Sequence, residues 1–133
     1  MSCCYTNNAE IRFTGIIPEE AMPKCKEIVG AFTDNIWFEY SASCKQHILV
    51  IQEEPGDWLD TLNELVDYLR PYGIKPEVGC YNHYYGDWDG YDVFTGEKFE
   101  SMDEGDYAVY ALTNEELIKM LEERGYTVTK NKG

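Results

Sequence analysis

The chain has 133 residues, 44% of them apolar and 14% aromatic, and a formal net charge of −14. That length suits one domain with a real core. The charge repels nucleic acid, anionic membrane and phosphorylated ligands and favours basic partners, and no apolar run is long enough to span a bilayer.

The start, MSCCYTNNAEIRF, has neither the basic nor the apolar region of a secretory leader, so the cytoplasm is the expected compartment. Five cysteines (Cys3, Cys4, Cys25, Cys44, Cys80) agree with that: the number is odd, two are adjacent, and there is no Cys-x-x-Cys. Reduced, ordinary thiols are expected.

Residues 1–9 read as a polar tail, ahead of one α+β domain over 10–133. In residues 10–15, Ile11 and Phe13 alternate with polar residues, which predicts a strand. Met22, Cys25, Ile28, Val29 and Phe32 recur at helical spacing, and Pro23 places the helix start near Met22. NIWFEYSA and QHILVIQEE predict two strands joined by a turn at Ser43 to Lys45. The run Ile48 to Ile51 suits a strand that is covered on both faces or central in its sheet.

The clearest helix follows, over 57–70. Asp57 is its expected N-cap, and Trp58, Leu59, Leu62, Leu65, Val66 and Leu69 form its apolar stripe. Pro71 and Gly73 stop it. KPEVGCYNHYYG predicts another strand. The order so far, β-α-β-β-α-β, predicts a ferredoxin-like core: a four-stranded antiparallel sheet with two helices on one face. A β-hairpin turning at Thr95-Gly96, a strand in DYAVYAL and a helix in TNEELIKMLEERG are expected to extend it. That helix carries the capping box Thr113 and Glu116 and ends at Gly125, and YTVTK predicts a last short strand.

No catalytic motif is complete: there is no G-x-S-x-G, P-loop or dinucleotide glycine fingerprint, and no cofactor is implied. Asp87, Asp89 and Asp92 resemble the start of a calcium loop, but its sixth and twelfth positions hold Asp92 and Lys98 in place of Gly and Glu. Both histidines follow a cysteine by three, which offers Cys44, His47, Cys80 and His83 as a zinc set. Strand geometry opposes it, because positions i and i+3 point to opposite faces.

The acidic residues say more. Asp57, Asp60, Glu64 and Asp67 fall at spacings of three, four and three, one stripe about 15 Å long on the predicted helix. No base is interleaved before Leu69, so the like-charge neighbours cost roughly 0.2–0.5 kcal/mol each where Lys would gain as much. Such a stripe is expected to face something positive.

Between Glu77 and Asp106 stand nine acids and one base, Lys98, among many aromatics. Tyr84, Tyr85, Trp88 and Tyr91 with Asp87, Asp89 and Asp92 form an expected partner-binding surface, since Tyr and Trp anchor interfaces and Arg or Lys stacks on them. Strand alternation is expected to bury about half of the aromatics. The functional expectation is an acidic module or inhibitor that docks a basic protein surface, with nucleic-acid mimicry as its sharper form. The alternative is a small-ligand or zinc-binding module that uses the aromatic segment 80–94 and the two Cys-x-x-His pairs.

Overall fold

The computed structural model describes residues 6–86 and 89–111. Within them the chain runs β1 (Thr6–Arg12), α1 (Met22–Val29), β2 (Ile36–Ser41), β3 (Gln46–Pro55), α2 (Leu59–Leu69), β4 (Tyr81–Tyr85), β5 (Gly90–Phe94), β6 (Phe99–Asp103) and α3 (Glu104–Ala111). The strands form one sheet in the order β2-β3-β1-β4-β5-β6, with every neighbouring pair antiparallel. The architecture is a small α+β domain. The β5–β6 hairpin continues the sheet beyond β4 to six strands, so the strand order departs from that of a four-stranded ferredoxin-like sheet.

The helices form for the reasons legible in their residues. Pro23 sits in the first turn of α1, where a missing N–H costs nothing, and Gly30 closes it at φ 69°. In α2 the buried residues are Leu62, Leu65, Val66 and Leu69; a 3-10 turn at Arg70–Tyr72 and Gly73 at φ 72° stop it.

Both helices lie over one face of the sheet. Cys25 and Val29 from α1 and Leu62, Leu65 and Leu69 from α2 close over Ile11, Phe13, Leu49, Ile51, Phe94 and Phe99. Ile48 and Val50 alternate to the opposite face and are buried as well.

Two expectations give way. The strand β1 begins at Thr6, so residues 6–9 belong to the sheet and not to a tail. They are held because β1 is paired on both sides, and because the Asn7 amide donates to the Glu54 and Gly56 carbonyls at 2.8 and 2.6 Å. DYAVYAL is not a strand but lies largely in α3. Asp103 accepts the Asp106 N–H at 2.7 Å and starts that helix, and Glu104 and Asp106 suit its positive end. The helix expected over 113–125 and the strand in YTVTK lie outside the described residues.

One histidine pins the connection from β1 to α1. The Phe13 N–H donates to the His47 carbonyl at 3.0 Å, the His47 N–H to the Gly15 carbonyl at 3.1 Å, and the Ile17 N–H to His47 Nδ1 at 2.8 Å. That nitrogen accepts only while the ring is neutral, and burial holds the His47 pKa below its ordinary value. The folded state therefore binds fewer protons than the unfolded one, so stability should fall as pH drops below about 6.5. His47→Ala should leave the Ile17 N–H unpaired, cost about 1–3 kcal/mol, and remove that pH dependence. Urea melts of both proteins between pH 5 and 8 check this; parallel pH profiles would refute it.

Candidate functional site

The acidic stripe is exposed along α2. Asp57 precedes the helix, its Oδ1 accepting the Leu59 N–H at 3.1 Å, and Asp60, Glu64 and Asp67 follow on the solvent side. Among the described residues one base reaches the stripe: Arg70 lies 3.3 Å from Asp67 and 3.7 Å from Glu97. Both pairs are exposed and neutralise little. Glu97, in the β5–β6 turn, adds its charge to that end of the stripe.

Strand alternation divides residues 80–94 between the two faces of the sheet. Tyr81, His83 and Tyr91 share the face away from α1 and α2, where α3 packs. Tyr91 stacks on His83 with ring centroids 4.8 Å apart and on Tyr107 at 4.2 Å, and Tyr81 meets Tyr91 and Tyr107 at 5.2 and 5.1 Å. Tyr85 is exposed, its hydroxyl accepting from Asn8 at 3.0 Å, and Asp89 is exposed. Asp87 and Trp88 lie outside the described residues. Beside this aromatic cluster runs an open groove of about 660 Å³, lined by Arg12, Val50, Cys80, Tyr81, His83 and Tyr91 among others.

On the helix-covered face the segment contributes Asn82, Tyr84 and Asp92. Asp92 departs from the expected surface: it is 2% exposed. Its Oδ1 accepts from Ser101 at 2.8 Å and its Oδ2 from the Asn82 amide at 3.1 Å; that amide also donates to Asn7 Oδ1 at 2.8 Å. Asn7 and Asn82 are fully buried, and Asn82 Oδ1 has no partner among the described residues.

The chain Asn7–Asn82–Asp92–Ser101 thus crosses four strands. Burial pushes the Asp92 pKa above the ordinary carboxylate range, Ser101 and Asn82 pull it back in part, and the charge of Asp57 raises it further.

Against this chain lies a pocket of about 140 Å³, lined by Asn7, Gly56, Asp57, Tyr84, Asp92 and Ser101. It opens where the acidic stripe begins, because Asp57 belongs to both. The Tyr84 ring lies across Gly90, its partner in the β4–β5 register, where an added Cβ would fall 2.5 Å from Cζ. Glycine there lets the ring form the pocket wall.

Asn7, Asn82 and Ser101 were not among the expected site residues. The signal for them is parity: Asn7 shares a face with Ala9 and Ile11, Asp92 with Phe94, and Ser101 with Phe99.

The four residues of the zinc set are not brought together. Cys44 is exposed in the β2–β3 turn, and β1 lies between the strands bearing His47 and His83. His47 Nδ1 is engaged by Ile17, and His83 is stacked on Tyr91. Cys80 sits against the Arg12 backbone, where burial raises its thiol pKa and disfavours the thiolate. Among the described residues no three His, Cys, Asp or Glu side chains are placed to hold a metal ion. Comparison of the chain with protein-family models, with curated proteins and with solved structures finds no match.

Proposed function

We propose that this chain is an acidic protein-binding module that docks a basic protein surface through the exposed side of α2, and that it inhibits that partner by occupying a site meant for phosphates. The observation that carries the reading is the line of Asp57, Asp60, Glu64 and Asp67, all exposed, approached among the described residues by one base at its far end. Its carboxylates step along α2 at intervals on the order of 5 Å, a row that Lys and Arg lining a phosphate-binding groove can meet. Tyr85 at the end of β4 and Asp89 just before β5 stand exposed as further contacts. The net charge of −14 steers such a partner from a distance and makes capture sensitive to salt. A cytoplasmic partner that itself binds nucleic acid fits this chemistry. The split βαβ reading of the first six elements is supported by their order and by β1 lying between β3 and β4.

The test is capture of an oligoarginine peptide and of basic nucleic-acid-binding proteins at graded salt. Binding should weaken steeply with ionic strength. Changing Asp60→Asn, Glu64→Gln and Asp67→Asn together should weaken it about tenfold, each exposed charge being worth about 0.5 kcal/mol. Unchanged capture removes α2 as the docking face.

A second reading is favoured by the groove beside Tyr81, His83 and Tyr91, whose aromatic wall and Arg12 suit a small planar ligand. Native mass spectrometry after purification without chelator decides it: a stoichiometric extra mass supports a bound ligand or metal, and the bare polypeptide mass favours the docking reading.

A further inference from the structure

We propose that the small pocket at the head of the acidic stripe receives the cationic end of one basic side chain from the partner, held between Asp57 at its rim and Asp92 at its floor. This rests on the docking reading above and gives it a point of specificity that a line of exposed carboxylates lacks.

Three observations converge on the pocket. First, it is rich in acceptors: among the described residues its lining offers the Asp57 and Asp92 carboxylates with oxygens of Tyr84, Ser101, Asn7 and Gly56, and neither Lys nor Arg. Second, Asp92 is 2% exposed, yet among the described residues its hydrogen-bond donors are the neutral Ser101 and Asn82 and no positive group pairs with it. Buried carboxylates are ordinarily paired with a cation or kept neutral. Third, the wholly buried Asn82, outside the lining, donates its amide to both Asn7 Oδ1 and Asp92 Oδ2, so two of the acceptor-bearing lining residues are fixed in place.

The positive end of α2 does not oppose a cation here. Asp57 already answers it by accepting the Leu59 N–H.

The volume, about 140 Å³, suits one guanidinium or ammonium head with part of its stem and excludes a folded peptide or a nucleotide. A cation seated between the two carboxylates would favour the ionised form of Asp92, so uptake should release a proton and tighten as pH rises.

Titration of the full chain, isotopically labelled, with N-acetyl-argininamide tests this by NMR, with N-acetyl-leucinamide as the neutral control. Saturable shifts of the Asn7 and Asn82 side-chain amides and of the Gly56 and Ser101 backbone amides are expected with the arginine probe alone. Asp92→Asn should weaken them at least tenfold. Because that variant alters a buried network, Asp57→Asn, at an exposed position, gives an independent reading and should weaken them about threefold or more. Glu19→Gln, an exposed acid outside the pocket, should leave them unchanged.

Shifts that fail to saturate, that follow the neutral probe equally, or that survive Asp57→Asn would overturn the proposal. So would Ca²⁺ alone saturating the same resonances in preference to the organic cation, which would make the pocket a metal site. Oligoarginine capture that persists in Asp57→Asn and Asp92→Asn overturns the pocket but sustains the docking face. A wild-type chain that captures no basic peptide overturns the docking reading itself.

Discussion

Phe94→Ala should cost the fold about 3–5 kcal/mol, a large share of the about 5–15 kcal/mol that holds a small domain folded. Phe94 is 1% exposed and packs against Phe99, itself 2% exposed, with ring centroids 5.4 Å apart. These two rings are the apolar anchor by which the β5–β6 hairpin joins the core. The polar anchor is Asn63 on α2, which donates to the Phe99 carbonyl at 3.1 Å and accepts the Phe99 N–H at 2.7 Å. Removing the Phe94 ring leaves a cavity between α2 and the sheet that neither hydrogen bond can close. Val109→Ala, at an exposed position of α3, should change stability by less than about 0.5 kcal/mol. Urea midpoints for the two variants decide the matter; similar values would mean that the hairpin is not anchored through Phe94.

Asn82→Ala should cost about 2–3 kcal/mol at neutral pH and much less at pH 4. It removes the donor from Asn7 Oδ1 and from Asp92 Oδ2, both buried, and an unpaired buried acceptor costs about 1–3 kcal/mol, more when it is charged. The pH dependence comes from Asp92. Its folded-state pKa lies above the ordinary value of about 3.9, so from there up to the folded pKa the folded chain holds more proton than the unfolded one. Stability contributed at this site therefore falls as pH rises through that interval and is flat above it. The Asn82 amide favours the ionised carboxylate, so its loss raises the Asp92 pKa further and deepens the fall. Denaturation of wild type and Asn82→Ala from pH 4 to 8 should show a difference that widens with pH. A constant difference would mean that Asp92 stays neutral throughout, and a double-mutant cycle with Asp92→Ala would isolate the coupling.

Much of the fold was legible because its elements follow simple periods. The apolar positions of α1 and α2 recur at helical spacing, with Pro23, Gly30 and Gly73 marking their limits. β2, β3 and the hairpin after β4 were set by alternation and turn residues. The stripe of Asp57, Asp60, Glu64 and Asp67 was visible for the same reason, since spacing on a helix fixes which residues share a side.

What was misread turned on contacts between distant segments. Alternating Tyr107 and Val109 suit a strand as well as a helix, and a single side chain, Asp103, decides for the helix by capping it. The charge of Asp92 points to the surface, although Phe94, two residues on, marks its side of the strand as the covered one. The pocket was hidden because Asn7, Asp57, Tyr84, Asp92 and Ser101 come from four strands and a helix start, and no spacing in the sequence relates them.

The place of β1 also governs how the chain assembles. It is the first of the six described strands in chain order, yet it lies in the middle of the sheet, with β3 on one side and β4 on the other. Asn7 must wait for Glu54, 47 residues later, and for Asn82, 75 residues later, before its side chain is satisfied. Closing such loops consumes chain entropy before any contact rewards it, so folding should be slow for the chain's length. A nascent chain halted before β4 holds an open, half-paired β1. Removing β1 would part β2–β3 from β4–β5–β6, leaving two smaller sheets with no strand to join them.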